Sequence, residues 1–331
     1  PGVWEHLILD KLDFDVRSGE VHTLLGENGA GKTVIANILS GYYEKTEGEI
    51  RVKGKLVHFR SPREGLAHGI AMVHQELMLV PAFTVAENIM VGLDAPLFSY
   101  DITGVENRIR MLVERYGLQV DPKALVEDLS AGQQQRVEIL KVLFHEPEVL
   151  LLDEPTSLLT PSEADQLFIV LRAMADDGKG IVFISHKMRE VFAVSDRVTV
   201  LKLGKTQGTC HITETNEDEL TRRTFGETVP NYMERPPVAH KELALNTIEM
   251  VPSGLDKKTN SKGISLKIRR GEIMGLAGVS GNGQTELIEA VTGLVPPASG
   301  EVWILNADMT GRTPKEFIEH GVAHIPERRR E

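Results

Sequence analysis

The chain has 331 residues, 41% hydrophobic and 26% charged, with a formal net charge of −11. That composition is of a folded protein of about two domains, and its acidity argues against nucleic acid or an anionic membrane surface as the main partner. One cysteine, Cys210, cannot close an internal disulfide, no zinc-type spacing is present, and no apolar run suffices to span a membrane; a reducing, cytoplasmic compartment fits. The first residue is Pro1 rather than methionine, as in a segment of a longer protein.

From the N-terminus, "GEVHTLLG" reads as a short buried strand and "KTVIANILS" as a helix closed by Gly41. "GEIRVKGKLVHF" alternates as a hairpin does, and "SPREGLAHG" starts a helix with Ser61 as cap and Pro62 in its first turn. Residues 104–145 are mostly helical in pattern, whereas "EVLLLDEP" and "GIVFISH" are apolar runs of the buried parallel-strand type. A helix-rich stretch therefore interrupts an α/β core. The first domain is expected over 1–225, followed by a proline-bearing linker without hydrophobic period over 226–243.

Beyond the linker the chain repeats itself. "SGEVHTLLGENGAGKT" and "RGEIMGLAGVSGNGQT" align without a gap at an offset of 252 residues, with seven identities. The same offset carries Gly41 to Gly293, Gly48 to Gly300 and Gly69 to Gly321. A chance glycine-rich turn does not keep register over that span, so residues 244–331 are expected to be the opening part of a second, related domain.

The segment Gly26, Glu27, Asn28, Gly29, Ala30, Gly31, Lys32, Thr33 satisfies the phosphate-loop pattern between a strand and a helix. Its glycines let backbone amides turn toward phosphate oxygens, and the helix start adds positive potential. Lys32 suits the outer phosphates and Thr33 a magnesium ion. Asp153 and Glu154 end an apolar strand, where adjacent carboxylates are costly unless they serve a metal or a reaction. Asp153 suits the magnesium shell and Glu154 the attacking water. In the second copy, Gly278, Gly281, Asn282, Gly283, Gln284 and Thr285 form the corresponding loop, with Gln284 at the lysine position. Losing that charge-assisted contact removes about 1.5–3 kcal/mol of phosphate binding. A binding or regulatory site is expected there, not an efficient hydrolase.

"LSAGQQQRVEILKVLF" completes a pattern that resembles the ATP-binding cassette family, whose signature is Leu-Ser-Gly-Gly-Gln before a helix; here Ala131 replaces the first glycine. The resemblance implies an α/β P-loop NTPase of the ABC-ATPase type, with a mixed core sheet, an antiparallel β subdomain and a helical subdomain, followed by part of a second such domain. It implies ATP and Mg2+ as ligands, and assigns Ser130, Gly132 and Gln133 to the γ-phosphate of another cassette. By position in the family order it assigns Gln75 to magnesium and water, and His186 to the γ-phosphate. Thr160 stands where the family usually has aspartate, and the family's adenine-stacking aromatic has only Trp4 as a candidate. Glu327 and Arg328 occupy the second domain's counterpart of the Gln75 segment.

The whole chain looks most like the double-cassette ATPases of bacterial simple-sugar and nucleoside importers. That branch implies a separate membrane permease, a solute-binding protein acting through it, a second cassette or second copy of the chain as partner, and a place on the inner face of the cell membrane. A soluble double-cassette protein acting on ribosomes or DNA is the rival, which basic surface and a charged helical linker would favour. A small-molecule P-loop kinase has no use for the signature or the repeat. At the 252-residue offset the second signature serine would fall at position 382. The signature present here would face the loop with Gln284.

Overall fold

The structure, a computed structural model, describes residues 8–93, 101–226, 242–254, 263–278 and 282–326. The chain divides into two compact units, residues 1–229 and 230–331. Residues 227–241 of the expected linker, Trp4, Gly281, Glu327 and Arg328 lie outside the described residues.

The first unit is built on a six-stranded sheet in the order Ile70–Val73, Val149–Asp153, Gly180–Ser185, Val21–Leu25, Arg197–Lys202, Lys205–His211. The first five run parallel and the last is antiparallel, so the sheet is mixed. Side chains alternate across a strand, and here both faces are covered. Ile181 and Phe183 join one apolar cluster with Leu150, Leu152 and Leu171, whereas Val182 and Ile184 join another with Leu24, Ile35 and Leu151. Burial on both faces is why these strands are unbroken apolar runs.

The interrupting helices are Ile102–Tyr116 and Ala131–Leu143. They are separated where Gly117 turns left-handed, and Ile109, Val137 and Leu140 pack into the first cluster. The expected hairpin is Ile50–Val52 with Lys55–Val57, and Ser61 caps the helix Pro62–Ala67 through the Glu64 amide. Among the described residues no helix is long and apolar enough to cross a membrane.

The second unit has an antiparallel sheet in the order Lys267–Arg269, Leu243–Val251, Ser299–Ile304, Ala307–Asp308. Leu287, Ala290 and Phe317 pack on Met250, Val302 and Ile304 to make its core. The 252-residue offset holds in three dimensions. Helix Lys32–Leu39 matches Gln284–Val291 end for end, and Pro62–Ala67 matches Pro314–Glu319. The hairpin turn repeats as well. Lys53 and Gly54 have φ of 51° and 75°, Leu305 and Asn306 48° and 68°, the left-handed pair of a tight hairpin turn.

The match fails in the main sheet: the counterpart of Ile70–Val73, residues 322–325, is not a strand, and neither is that of the central strand. Val21–Leu25 is a central strand with every residue buried. Its counterpart, residues 273–277, is not a strand, and Ile273 is 84% and Leu276 49% exposed. In the first unit that strand is held on both sides by Gly180–Ser185 and Arg197–Lys202; the described residues of the second unit supply no such neighbours.

His22, fully buried in the central strand, donates from Nδ1 to the Asp15 carbonyl (2.6 Å), and its Nε2 lies 2.8 Å from the Thr199 hydroxyl. Burial, aided by the Arg197 cation, pushes its pKa down to about 4. An unfolded histidine titrates near 6.5, so the unfolded chain takes up this proton first on acidification. The contribution is complete above pH 6.5 and is lost as pH falls toward 4, up to about 3 kcal/mol. His22→Gln is expected to flatten the fall in chemical-denaturation midpoint over that window; an unchanged slope would remove His22 as its cause.

Candidate functional site

The site lies where neighbouring parallel strands end. Leaving Val21–Leu25, the chain enters a loop whose Gly29 and Gly31 have φ of 83° and 103°, open to glycine and strained for other residues. Gly26 is held tightly too: a Cβ there would strike the Leu201 carbonyl. Gly31 caps the helix Lys32–Leu39 with no side-chain hydrogen bond, so its first amides stay free of a side-chain acceptor. Ala30 is buried, whereas Glu27, Asn28 and Gly29 are exposed.

Lys32 is 5% exposed. Its Nζ donates to the carbonyls of Gly26 (2.8 Å) and Glu27 (2.9 Å) and stands 3.8 Å from Glu154 Oε1. Burial lowers its pKa, opposed by the carboxylates of Glu154 and Asp153. The same Glu154 oxygen accepts from His186 Nδ1 at 2.9 Å. Asp153 pairs with Ile184 across the sheet and the Glu154 amide donates to the Ile184 carbonyl, so the acid pair and His186 end adjacent strands. Glu154 has a φ of 46°, a left-handed conformation that costs about 1–3 kcal/mol and persists only where the surroundings enforce it.

Asp153 is 2% exposed. Burial raises its pKa first, Glu154 adds to the rise, and a hydrogen bond from the Thr33 hydroxyl opposes it. Its Oδ1 is buried without a hydrogen-bond partner. A buried carboxylate oxygen left open beside a threonine hydroxyl fits a hard divalent cation.

The structure thus brings together Lys32, Thr33, Asp153, Glu154 and His186. Gln75 follows the adjacent strand Ile70–Val73 by two residues but is exposed and makes no hydrogen bond to them. Its segment is held from elsewhere: Glu138 Oε1 accepts the Met78 amide (2.5 Å) and Lys141 donates to the Met78 carbonyl (2.8 Å). Both residues sit on the helix Ala131–Leu143, whose start is the signature.

Ser130 and Gln133 cap that helix reciprocally, the Gln133 amide donating to Ser130 Oγ (3.3 Å) and Ser130 N–H to Gln133 Oε1 (3.0 Å). Gly132 is buried, and a Cβ there would collide with the Glu163 carboxylate. Glu163 forms a capping box with Thr160 at the start of Pro161–Asp176 and also accepts the Gly132 amide. The sequence shows this box as Thr160-Pro161-Ser162-Glu163, a pattern read only for its missing aspartate.

In the second unit Gly283 has a φ of 92° and caps Gln284–Val291. Gln284 folds back over Gly278, since a Cβ on that glycine would come within 2.6 Å of its side-chain nitrogen. Asn282 and Thr285 are exposed. At the start of this helix a neutral amide stands in place of the ammonium.

A phosphate loop, a strand-end acid pair and a signature helix on one mixed sheet define an ATP-binding cassette. The ABC transporter family model matches residues 9–157 and 261–330, and the chain belongs to that family. It is 43% identical over 321 residues to the nucleoside import ATP-binding protein NupA of Lactococcus lactis, covering 97% of this chain and 63% of that protein. It is 37% identical to the ribose import ATP-binding protein RbsA of Geobacillus kaustophilus, covering 98% and 66%. The chain therefore spans less than two thirds of the length of these relatives. A nucleotide-free cassette from an ABC transporter shares the fold, with a TM-score of 0.58, 24% identity and coverage of 67% of this chain and 90% of the other. The Clostridium perfringens protein cbiO1, part of an ABC transporter complex, gives 0.56 at 27% identity, covering 65% and 87%.

Because burial penalises the charged form of Asp153, its neutral isostere relieves the metal-free protein. Asp153→Asn is expected to raise the unfolding midpoint of the chain in chelator at neutral pH. It should also shrink the thermal shift produced by Mg2+ with ATP. A lower midpoint would contradict this account of the buried oxygen.

Proposed function

We propose that the first unit binds Mg-ATP and hydrolyses it, and that the chain belongs to the motor of an importer for a nucleoside or simple sugar. The observation that carries the reading is the run of contacts Lys32–Glu154–His186 beside the unpartnered oxygen of Asp153. Bound Mg2+ would neutralise phosphate charge, held by the Thr33 hydroxyl and Asp153, with Gln75 at the adjacent strand end. Lys32 binds the outer phosphates; it exchanges carbonyl partners for phosphate oxygens while staying buried. Glu154 orients and deprotonates the attacking water, and His186 binds the terminal phosphate. Gly26 to Thr33 and the helix start supply amides to the remaining oxygens.

Domains are read as 1–225 and 244–331 about a linker at 226–243. Ser130, Gly132 and Gln133 serve a nucleotide held by another cassette. The second loop, from Gly278 to Thr285, lacks charge and is a binding or regulatory site. The relatives' names support nucleoside or sugar import, and with it a membrane permease, a solute-binding protein acting through it, and a peripheral position on the inner face of the membrane. The acidic net charge speaks against nucleic acid as partner.

Lys32→Ala is expected to weaken Mg-ATP binding by roughly ten- to a hundredfold and to abolish phosphate release. Gln284→Ala should change affinity by less than about threefold, because a neutral amide brings no opposite charge to the phosphates. Calorimetric titration and phosphate release check both, and equal losses would sink the asymmetry.

A cassette's loop needs a signature from its partner, and the signature here is the first unit's own. In a protein of these 331 residues alone, hydrolysis is expected to come from two copies pairing their first units, so its specific activity should rise with protein concentration. Fast turnover that stays constant down to concentrations where sedimentation shows only monomer would refute this.

A further inference from the structure

Glu190 belongs to none of the motifs above. It lies on the helix Met188–Val194 and is 6% exposed. Its Oε1 accepts from the Thr156 hydroxyl at 2.6 Å and its Oε2 from the Ser185 hydroxyl at 2.7 Å. Lys187 Nζ stands 3.0 Å from Oε1 and also donates to the Thr156 carbonyl at 3.3 Å. A buried carboxylate is tolerated only when so satisfied.

The placement of these partners matters more than their number. Thr156 stands two residues after Glu154, and Ser185 immediately precedes His186. One carboxylate therefore ties together the two turns that carry the Glu154–His186 contact. Both residues need such support. Glu154 holds a left-handed backbone, and the His186 side chain is 40% exposed with its hydrogen bond going to Glu154. Ser185 Oγ also accepts the Lys187 amide at 3.1 Å, which fixes the backbone on both sides of His186. We propose that Glu190 is a positioning residue that holds Glu154 and His186 in register for hydrolysis, an inference that rests on the ATPase reading above.

Donation to a carboxylate requires a proton on His186 Nδ1. Nitrogen-15 NMR of the imidazoles, with His186→Gln for assignment, should show the Nδ1–H tautomer in the wild-type chain and its loss in Glu190→Ala. In phosphate-release assays Glu190→Ala should lower kcat by roughly ten- to a hundredfold with the KM for Mg-ATP within about twofold. Glu190→Gln, which keeps the shape and an acceptor, should recover to within about threefold of wild type. Arg189→Ala, on the same helix and paired outward with Asp165, should change neither readout. If Glu190→Ala does not fold, Ser185→Ala and Thr156→Ala take its place, and each must disturb the His186 tautomer. The proposal is overturned if His186 keeps its tautomer in these variants, if the wild type lacks the Nδ1–H form, or if Arg189→Ala has the same effect. Loss of the tautomer in Glu190→Ala beside a wild-type chain that releases no phosphate would instead refute the ATPase reading and leave the register intact.

Discussion

A lysine ammonium can be buried only where oxygen atoms surround it and some counter-charge is near. Lys32 meets both conditions, with two loop carbonyls within hydrogen-bonding distance and Glu154 at 3.8 Å. That requirement fixes much of the first unit. The loop must turn its carbonyls inward, which calls for left-handed glycines. The strand carrying the counter-charge must end at the same level as the strand before the loop, which the parallel register through Gly180–Ser185 provides. The binding of phosphate then exchanges one set of oxygens for another around a charge already desolvated, so little reorganisation remains.

Three glutamates outside the motifs do the mechanical joining. Glu138 holds the segment after Gln75 against the signature helix. Glu163 links the start of Pro161–Asp176 to Gly132. Glu190 joins the turns after Glu154 and before His186. Each motif segment is therefore fastened to another by a carboxylate accepting backbone or hydroxyl donors, bonds that low dielectric strengthens.

The sequence disclosed what depends on residue type and short spacing. The phosphate loop, the acid pair, the Ser61 cap and the 252-residue repeat all follow from local chemistry, and the helices and hairpin turn of both units keep that register. The three glutamates were not legible because nothing in a helical run marks one acidic residue as buried; each also holds a partner 31 to 60 positions away. The hairpin turn at Leu305 and Asn306 was hidden for a different reason. Its backbone copies Lys53 and Gly54, but side chains there are free to differ so long as the turn can be made. Thr160 shows the reverse case: a residue read only for the aspartate it replaces also serves as a helix cap.

The stretch Ile273 to Ala277 has a consequence for handling the molecule. Apolar, exposed and outside any sheet among the described residues, it is open to strand addition by any similar chain. Clustering through it is driven by release of water from apolar surface, so sulfate and moderate warming strengthen it and urea weakens it. Assembly bridged by nucleotide phosphates answers to salt in the opposite sense, because ions screen the charges involved. Two associations of the same chain thus carry opposite salt signatures, and the sign alone tells a productive pair from a clump.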